Sequence, residues 1–220
     1  MAIAFDNAIR IEATSGLFTV SGSNRWIGIF VISDGTINSA TYDGVTLTDP
    51  SISFTGLGTI WNGKFFHLAN PNSGNLTAAC SVTGASLTTM VIGSWTGINQ
   101  TTPISGITLN SGTSLTPSTS ALSIGTDEWG SAFVAHLAAG GPFTPGSNDI
   151  ERLDSFSSNM GLNYGIFDTT ETGGGVVLSC SDDSLSGTQW RVVGMALLPV
   201  VESTIGVGGS HRVYTYYGLH

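Results

Sequence analysis

The chain has few charged residues, and very few of these are basic. Of its 220 residues only 10% are charged, and the six basic residues include a single lysine, Lys64. Surface helices keep their outer faces hydrated with Glu, Lys and Arg. The composition therefore excludes an all-α fold. The net charge of -9 also argues against a nucleic-acid partner, because a phosphate backbone would be repelled.

Cysteine and long apolar runs are also scarce. Two cysteines, Cys80 and Cys180, are too few for a disulfide scaffold. Both fall on the apolar phase of predicted strands, so we expect buried thiols, with a disulfide as the alternative. The longest apolar run, residues 192–201, is about half of what a membrane helix needs. The amino terminus lacks the features of a secretory signal, so the sequence predicts a soluble protein that folds in a reducing cytoplasm.

Glycine and β-forming residues are abundant instead. The chain has 30 glycines, about twice the usual share. Residues 25–32 form a nearly continuous apolar run, which predicts a central strand buried on both faces. Asp43 and Gly44 lie between β-forming residues and predict a type I′ hairpin turn.

The pattern continues along the chain as short strands separated by turn residues. A second hairpin is predicted where residues 65–69 stop at an Asn-Pro pair and residues 76–82 then alternate with period two. Around ten short strands and no convincing helix predict an all-β fold: two packed antiparallel sheets, a sandwich or jelly roll, over residues 1–200. Residues 101–120 are interpreted as a crossover between sheets, with an interdomain linker as the alternative.

Candidate catalytic and metal-binding residues are few. The acid pairs that a glycoside hydrolase would need lie in turn-like contexts; they are Asp127 with Glu128, Asp149 with Glu151, and Asp182 with Asp183. We therefore predict no catalytic residues and no enzyme activity. Residues 147–151 and 181–184 offer oxygen ligands for calcium but match no EF-hand pattern. The four histidines show no close pairing, so no metal site and no cofactor are predicted.

Two tryptophans are candidates for ligand binding. Trp61 and Trp129 are predicted to lie in turns, where an exposed indole face could stack on a sugar. Trp95 and Trp190 lie within predicted strands, where packing in the core is the expected role. We treat Trp61 and Trp129 as weak candidates for a sugar site.

The last twenty residues differ in character from the rest. Residues 201–220 begin with a glycine-rich stretch and end in a segment rich in tyrosine, which we call the C-terminal arm. Tyrosine and arginine are enriched where protein surfaces meet. We expect an intersubunit contact in a homo-oligomer, with a trimer favoured, made by Arg212, Tyr214, Tyr216 and Tyr217. The alternative is that the arm folds back as one more edge strand.

Several segments, taken in order, resemble a known group of proteins. The segments are residues 4–7, 21–31, 41–48, 67–75, 93–97 and 189–196. Together they resemble the concanavalin-like or jelly-roll β-sandwich structural proteins of tailed bacteriophages, over residues 4–198. The resemblance implies a virion component, such as a capsid decoration, head-fibre or tail-associated protein, made in the host cytoplasm. Its partners would be other virion proteins, with no nucleic acid and no membrane insertion.

Two other classes of function stay open. The first alternative is a carbohydrate-binding, lectin-like module of a tail fibre, with a host-surface glycan as its partner. The second is a hydrolase. Loss of glycan binding on changing Trp61 or Trp129 would favour the former, and turnover abolished at one acid would favour the latter.

Overall fold

The computed structural model describes residues 2–137, 141–182 and 188–200, and the regular elements in this part are all β-strands. Nine strands form the N-terminal half: β1 (Ala4–Ile11), β2 (Ser15–Val20), β3 (Trp26–Ser33), β4 (Thr36–Tyr42), β5 (Val45–Thr46), β6 (Ser53–Leu57), β7 (Trp61–Ala69), β8 (Gly74–Thr83) and β9 (Thr88–Thr96). Nine more form the C-terminal half: β10 (Ile104–Ser114), β11 (Leu122–Ile124), β12 (Trp129–Leu137), β13 (Phe143–Pro145), β14 (Ile150–Ser157), β15 (Leu162–Thr169), β16 (Gly173–Val176), β17 (Cys180–Asp182) and β18 (Thr188–Leu197). The predicted all-β, antiparallel class is confirmed.

The strands are sorted into inner and outer sheets. The inner sheet of the N-terminal half has the order β1-β9-β3-β7-β6, and its outer sheet has the order β2-β8-β4-β5. The inner sheet of the C-terminal half has the order β10-β18-β12-β15-β14, and the pairs β11-β16 and β13-β17 lie outside it. The described chain thus has eighteen strands in five sheets, instead of about ten strands in two. Period-two patterns locate strands, but they do not show which sheet each strand joins.

Three apolar cores hold these sheets in a stack of four layers. A central core lies between the two inner sheets and contains side chains such as Phe65 and Phe133, whose ring centroids are 5.1 Å apart. A second core fills the space between the inner and outer sheets of the N-terminal half. A third core does the same in the C-terminal half. Each inner sheet is therefore covered on both faces.

The strand β3 shows why its sequence is apolar throughout. All eight of its residues are buried. Trp26 and Phe30 point into the central core, whereas Ile27, Ile29 and Val31 point into the core of the N-terminal half. Alternate side chains of a strand face opposite sides, so a strand covered on both sides needs apolar residues at every position. The predicted central strand at residues 25–32 is confirmed.

The two halves share one strand plan. In each inner sheet the edge strand is the first strand of its half, and it is followed by the last strand and then by the third. These strands are β1, β9 and β3 in the N-terminal half, and β10, β18 and β12 in the C-terminal half. In each outer layer the second and fourth strands of the half pair with strands near its end. β2 and β4 both pair with β8, whereas β11 pairs with β16 and β13 pairs with β17. The halves pack so that β1 lies against β14 and β6 against β18. The structure is therefore a duplicated unit packed inner sheet against inner sheet.

The first predicted hairpin is confirmed and the second is wrong. Asp43 and Gly44 have positive φ angles of 50° and 74° and join β4 to β5, with Tyr42 paired to Val45. By contrast, β7 belongs to the inner sheet and β8 to the outer sheet. The positive φ angles of Asn70 and Gly74 lie in this connection, where the chain leaves one layer for the next. The turn residues were correctly placed, but a turn signal does not state whether the following strand pairs with the preceding one.

The segment 101–120 is mostly a strand. β10 occupies eleven of its residues and pairs with β18 at the edge of the inner sheet of the C-terminal half. Ile104, Ile107 and Leu109 pack against the central core. The interpretation of the whole segment as a crossover between sheets is therefore corrected, because most of it is a strand of one sheet. Residues 115–120, after β10, lead from this sheet to the outer pair β11-β16. Ser, Thr and Gly suit an edge strand that has one solvent-facing side.

Both cysteines are free thiols. Cys80 lies in the outer sheet of the N-terminal half and packs against its core, and Cys180 lies in the outer layer of the C-terminal half. Two inner sheets separate these layers, so the two sulfurs are at opposite ends of the stack. The expected free thiols are confirmed, with Cys180 buried and Cys80 only partly buried.

Candidate functional site

The predicted tryptophans lie at the first residues of two strands, not in turns. Trp61 begins β7, is only 5% exposed and packs in the central core. Trp129 begins β12 and is partly buried, with the guanidinium of Arg152 lying 6.0 Å from the centre of its ring. Trp61 has little free surface for a sugar, and one side of Trp129 faces a charged group. Their role in sugar binding stays a prediction.

A polar centre joins the two halves beside Trp129. Asp168, at 0% exposure, accepts hydrogen bonds on Oδ2 from Trp95 Nε1 at 3.2 Å and from Arg152 Nε at 2.8 Å. The Arg152 guanidinium also lies 4.7 Å from the centre of the Phe5 ring. Trp95 and Phe5 come from the N-terminal half, whereas Asp168 and Arg152 come from the C-terminal half. Burial raises the pKa of Asp168 above its ordinary value, although the bonds from Arg152 and Trp95 oppose the shift.

One oxygen of this centre is buried without a hydrogen-bond partner. This atom is Asp168 Oδ1, and the hydroxyl of Ser131 is likewise buried without a hydrogen-bond partner. The two residues are direct cross-strand neighbours in β12 and β15. The arrangement gives the centre one carboxylate, one guanidinium and two aromatic walls inside the central core. Its contacts orient one half against the other.

A second polar cluster lies in the core of the C-terminal half. His136 Nδ1 and Asp182 Oδ2 are 2.6 Å apart, and Asn163 Nδ2 donates to the same oxygen at 2.8 Å. A histidine next to a carboxylate is the pair that many hydrolases use to activate a nucleophile. Here both side chains have 0% exposure, so bulk solvent and substrates do not reach them. The pair therefore acts as a buried link between β12 and β17.

The local sequence does not reveal this cluster, for an identifiable reason. His136 lies inside an apolar strand, and Asp182 is adjacent in the sequence to Asp183, which is outside the described residues. A lone buried histidine in such a strand needs a polar partner, and that requirement was the available signal. The partner itself lies 46 residues away and could not be identified.

The other predicted acid pairs have turn-stabilising contacts. Glu128 Oε2 accepts a hydrogen bond of 2.8 Å from the backbone N–H of Gly125. Asp149 Oδ2 accepts one of 2.9 Å from the N–H of Ser179. Burial raises the pKa of Asp149. These carboxylates hold loops in place.

A cavity of about 360 Å³ opens at the junction of the halves. It is lined by three turns, β1 to β2, β8 to β9, and β14 to β15, together with the adjoining ends of β8 and β9. At its rim Arg10 Nη1 donates to Glu12 Oε1 at 2.6 Å, and Asn159 Nδ2 donates to Glu12 Oε2 at 3.3 Å. Glu12 belongs to the N-terminal half and Asn159 to the C-terminal half. The cavity thus combines a paired carboxylate and an amide from different parts of the chain.

The described residues contain neither a metal cluster nor a membrane-spanning helix. Among residues 2–137, 141–182 and 188–200, no group of three or more His, Cys, Asp or Glu side chains is placed to hold a metal ion. In the same ranges no helix has the length and apolarity required to span a membrane. The arm residues Arg212, Tyr214, Tyr216 and Tyr217 lie outside the described residues.

Comparisons of the chain with protein-family models, with curated proteins and with solved structures find no match.

Proposed function

We propose that the chain is a non-enzymatic structural subunit of a tailed-phage virion, located on the capsid or tail and bound to other virion proteins. A capsid decoration, head-fibre or tail-associated role fits this proposal. The finer fold assignment, a jelly-roll or concanavalin-like sandwich, is part of it. The ordered resemblance of residues 4–198 to such proteins supports both statements.

The four-layer stack is the observation that carries the proposal. Three apolar cores lie in one short chain, and all the residues of β3 and of β15 are buried. Buried apolar area is the main stabilising contribution in proteins. A virion part needs such a rigid body, because it must present its binding surfaces at fixed positions after leaving the cell.

The roles of the acidic residues support a structural function. Glu128 and Asp149 hold turns, and Asp182 binds a buried histidine and asparagine. Carboxylates engaged in this way contribute to the fold. The net charge of -9 favours a position on the outside of a particle, away from packaged DNA.

The C-terminal arm provides the assembly contact in this proposal. The last described residue, Val200, donates its N–H to the carbonyl of Gly97 at 2.8 Å, so the described chain ends next to the end of β9. From there the arm reaches a neighbouring copy or the particle surface through its tyrosines and Arg212. The assembly is a homo-oligomer, with a trimer expected.

Particle fractionation tests this proposal. An antibody raised against the purified chain should detect it in the gradient fraction that contains intact virions, and immunogold labelling should mark their surface. Cells that produce no particles provide the control. A chain found only in the soluble fraction of a particle-producing lysate would overturn the proposal.

A further inference from the structure

The cavity at the junction of the halves has the size and position of a small-ligand site. Its volume of about 360 Å³ lies within the range of about 300–1,000 Å³ that is typical of such sites. Ligand sites occur preferentially where two structural units meet. This cavity lies at such a place, because Asn159 and Met160 belong to one half and its other lining residues to the other half.

The lining points to an uncharged ligand. The carboxylate of Glu12 is already neutralised by Arg10 at 2.6 Å. The hydroxyls of Thr88 and Thr89 already pair with Ser33 and Met160, both at 3.0 Å. The other polar groups that can meet a ligand are the amide of Asn159 and the hydroxyls of Thr14 and Ser86. These groups both donate and accept hydrogen bonds. A ligand with several hydroxyl groups matches this set, whereas an ionic ligand would find no free opposite charge among these lining residues.

One hydrogen bond at the rim can be exchanged for a ligand. The bond from Asn159 Nδ2 to Glu12 Oε2 is 3.3 Å long, beyond the usual range, and both residues are exposed. If this hydrogen bond breaks, the Asn159 amide can donate to a ligand and Glu12 Oε2 can accept from it, at neighbouring positions on the rim. Arg10 still binds the other oxygen of Glu12. Such a pair can clamp two neighbouring hydroxyls.

The cavity also has an apolar side. Leu87 is 37% exposed at the rim, and Val82 and Met160 line the interior. Sugar rings have C–H faces that pack on apolar side chains, in addition to their hydroxyls. The combination of an apolar wall with a carboxylate–amide pair separates this cavity from an ordinary polar crevice.

We propose that this cavity binds one neutral sugar residue, with Glu12 and Asn159 holding its hydroxyls and Leu87 packing against its ring. The site is distinct from Trp61 and Trp129. The proposal does not depend on a virion location, so sugar binding and particle association can fail separately.

Saturation-transfer NMR with the full chain tests the site. The probes are glucose, galactose, mannose and N-acetylglucosamine, each as a free monosaccharide, and glycerol is the control for general polyol contact. We expect one or more of the sugars to receive saturation, and glycerol much less. In the variants Glu12→Gln and Asn159→Ala the affinity for the sugar should fall at least about tenfold. The first variant loses the charge that strengthens a hydrogen bond to the sugar, and the second loses the amide donor.

The chain offers a matched control for these variants. Glu171 Oε1 accepts a hydrogen bond of 2.8 Å from Asn148 Nδ2, which is also an exposed carboxylate–amide pair but lies away from the cavity. Glu171→Gln should bind the sugar like the unmodified chain. The proposal is overturned if none of the four sugars binds, if glycerol binds equally well, or if binding survives both cavity variants. Unchanged melting temperatures will show that the variants are folded.

Discussion

The indole nitrogen of Trp95, in the N-terminal half, donates a hydrogen bond of 3.2 Å to Asp168, in the C-terminal half. Asp168 also accepts from Arg152, whose side chain is 20% exposed. Together these three residues make a polar link inside the central core. The link is costly to break, because removing one partner leaves the others buried without compensation.

We therefore expect Asp168→Ala to destabilise the fold by about 3 kcal/mol, at the low end for a buried pair because Arg152 keeps some access to water. Urea unfolding followed by tryptophan fluorescence measures the change. Glu171→Ala, at an exposed carboxylate, serves as the control and should stay within about 0.5 kcal/mol. Equal stability of the two variants would show that the link contributes nothing.

His67 gives a prediction about pH. Trp26 Nε1 donates to His67 Nδ1 at 3.3 Å, so the ring accepts this bond in its neutral form. Burial lowers the pKa of His67 below its ordinary value. The unfolded chain therefore takes up a proton first as the pH falls below about 6.5, and this residue's contribution to stability declines from there down to the folded-state pKa.

Histidine NMR signals followed against pH should show His67 titrating below the ordinary histidine range. The unfolding free energy of His67→Gln should also depend less on pH between about 7 and 5 than that of the unmodified chain. A pKa for His67 at or above the ordinary value would contradict this account.

Gly28 lies in the central core, where side chains of both inner sheets meet. A Cβ at this position would come within 2.9 Å of Phe65 and 3.0 Å of Phe133, which belong to opposite inner sheets. Gly28→Ala should therefore cost about 1–3 kcal/mol through overpacking. Gly174 has open space around it, so Gly174→Ala should change the stability by less than about 0.5 kcal/mol. Thermal unfolding of both variants checks the contrast.

The thiols give a prediction about reactivity. Burial raises the pKa of Cys80 to about 11, and it raises the pKa of Cys180 as well. Because the thiolate is the reactive form, a thiol reagent should modify the native protein slowly at both sites. The denatured protein should react at both positions without prior reduction. A requirement for reductant would reveal a disulfide.

The C-terminal arm gives a prediction about assembly. Deleting residues 203–220 should leave the melting temperature of the isolated stack nearly unchanged, because the glycine-rich sequence of residues 206–209 is unsuited to a core element. The same deletion should abolish oligomer formation or particle binding, measured by sedimentation. A truncated chain that still assembles, or one that no longer folds, would refute an intersubunit role for Arg212, Tyr214, Tyr216 and Tyr217.

The candidate cavity could not have been predicted from the sequence. Glu12 and Asn159 are separated by 147 positions, and each lies in an ordinary polar turn. Nothing in either local pattern indicates the other residue. Asp168 is similar, because its partner Trp95 is 73 positions away. Contacts between distant turns and strands depend on how the sheets pack.

The sequence by itself determined the all-β class, the hairpin turn at Asp43 and Gly44, and the central strand β3. The reason is that these features depend on residues adjacent in the chain: positive φ angles favour Asp-Gly, and burial on both faces requires a continuous apolar run. Only the tertiary structure decided that the strands form two similar halves, and that β7 and β8 belong to different layers. The physical reason is that period two reports which face of a strand is buried, while the identity of the covering layer depends on contacts between residues far apart in the chain.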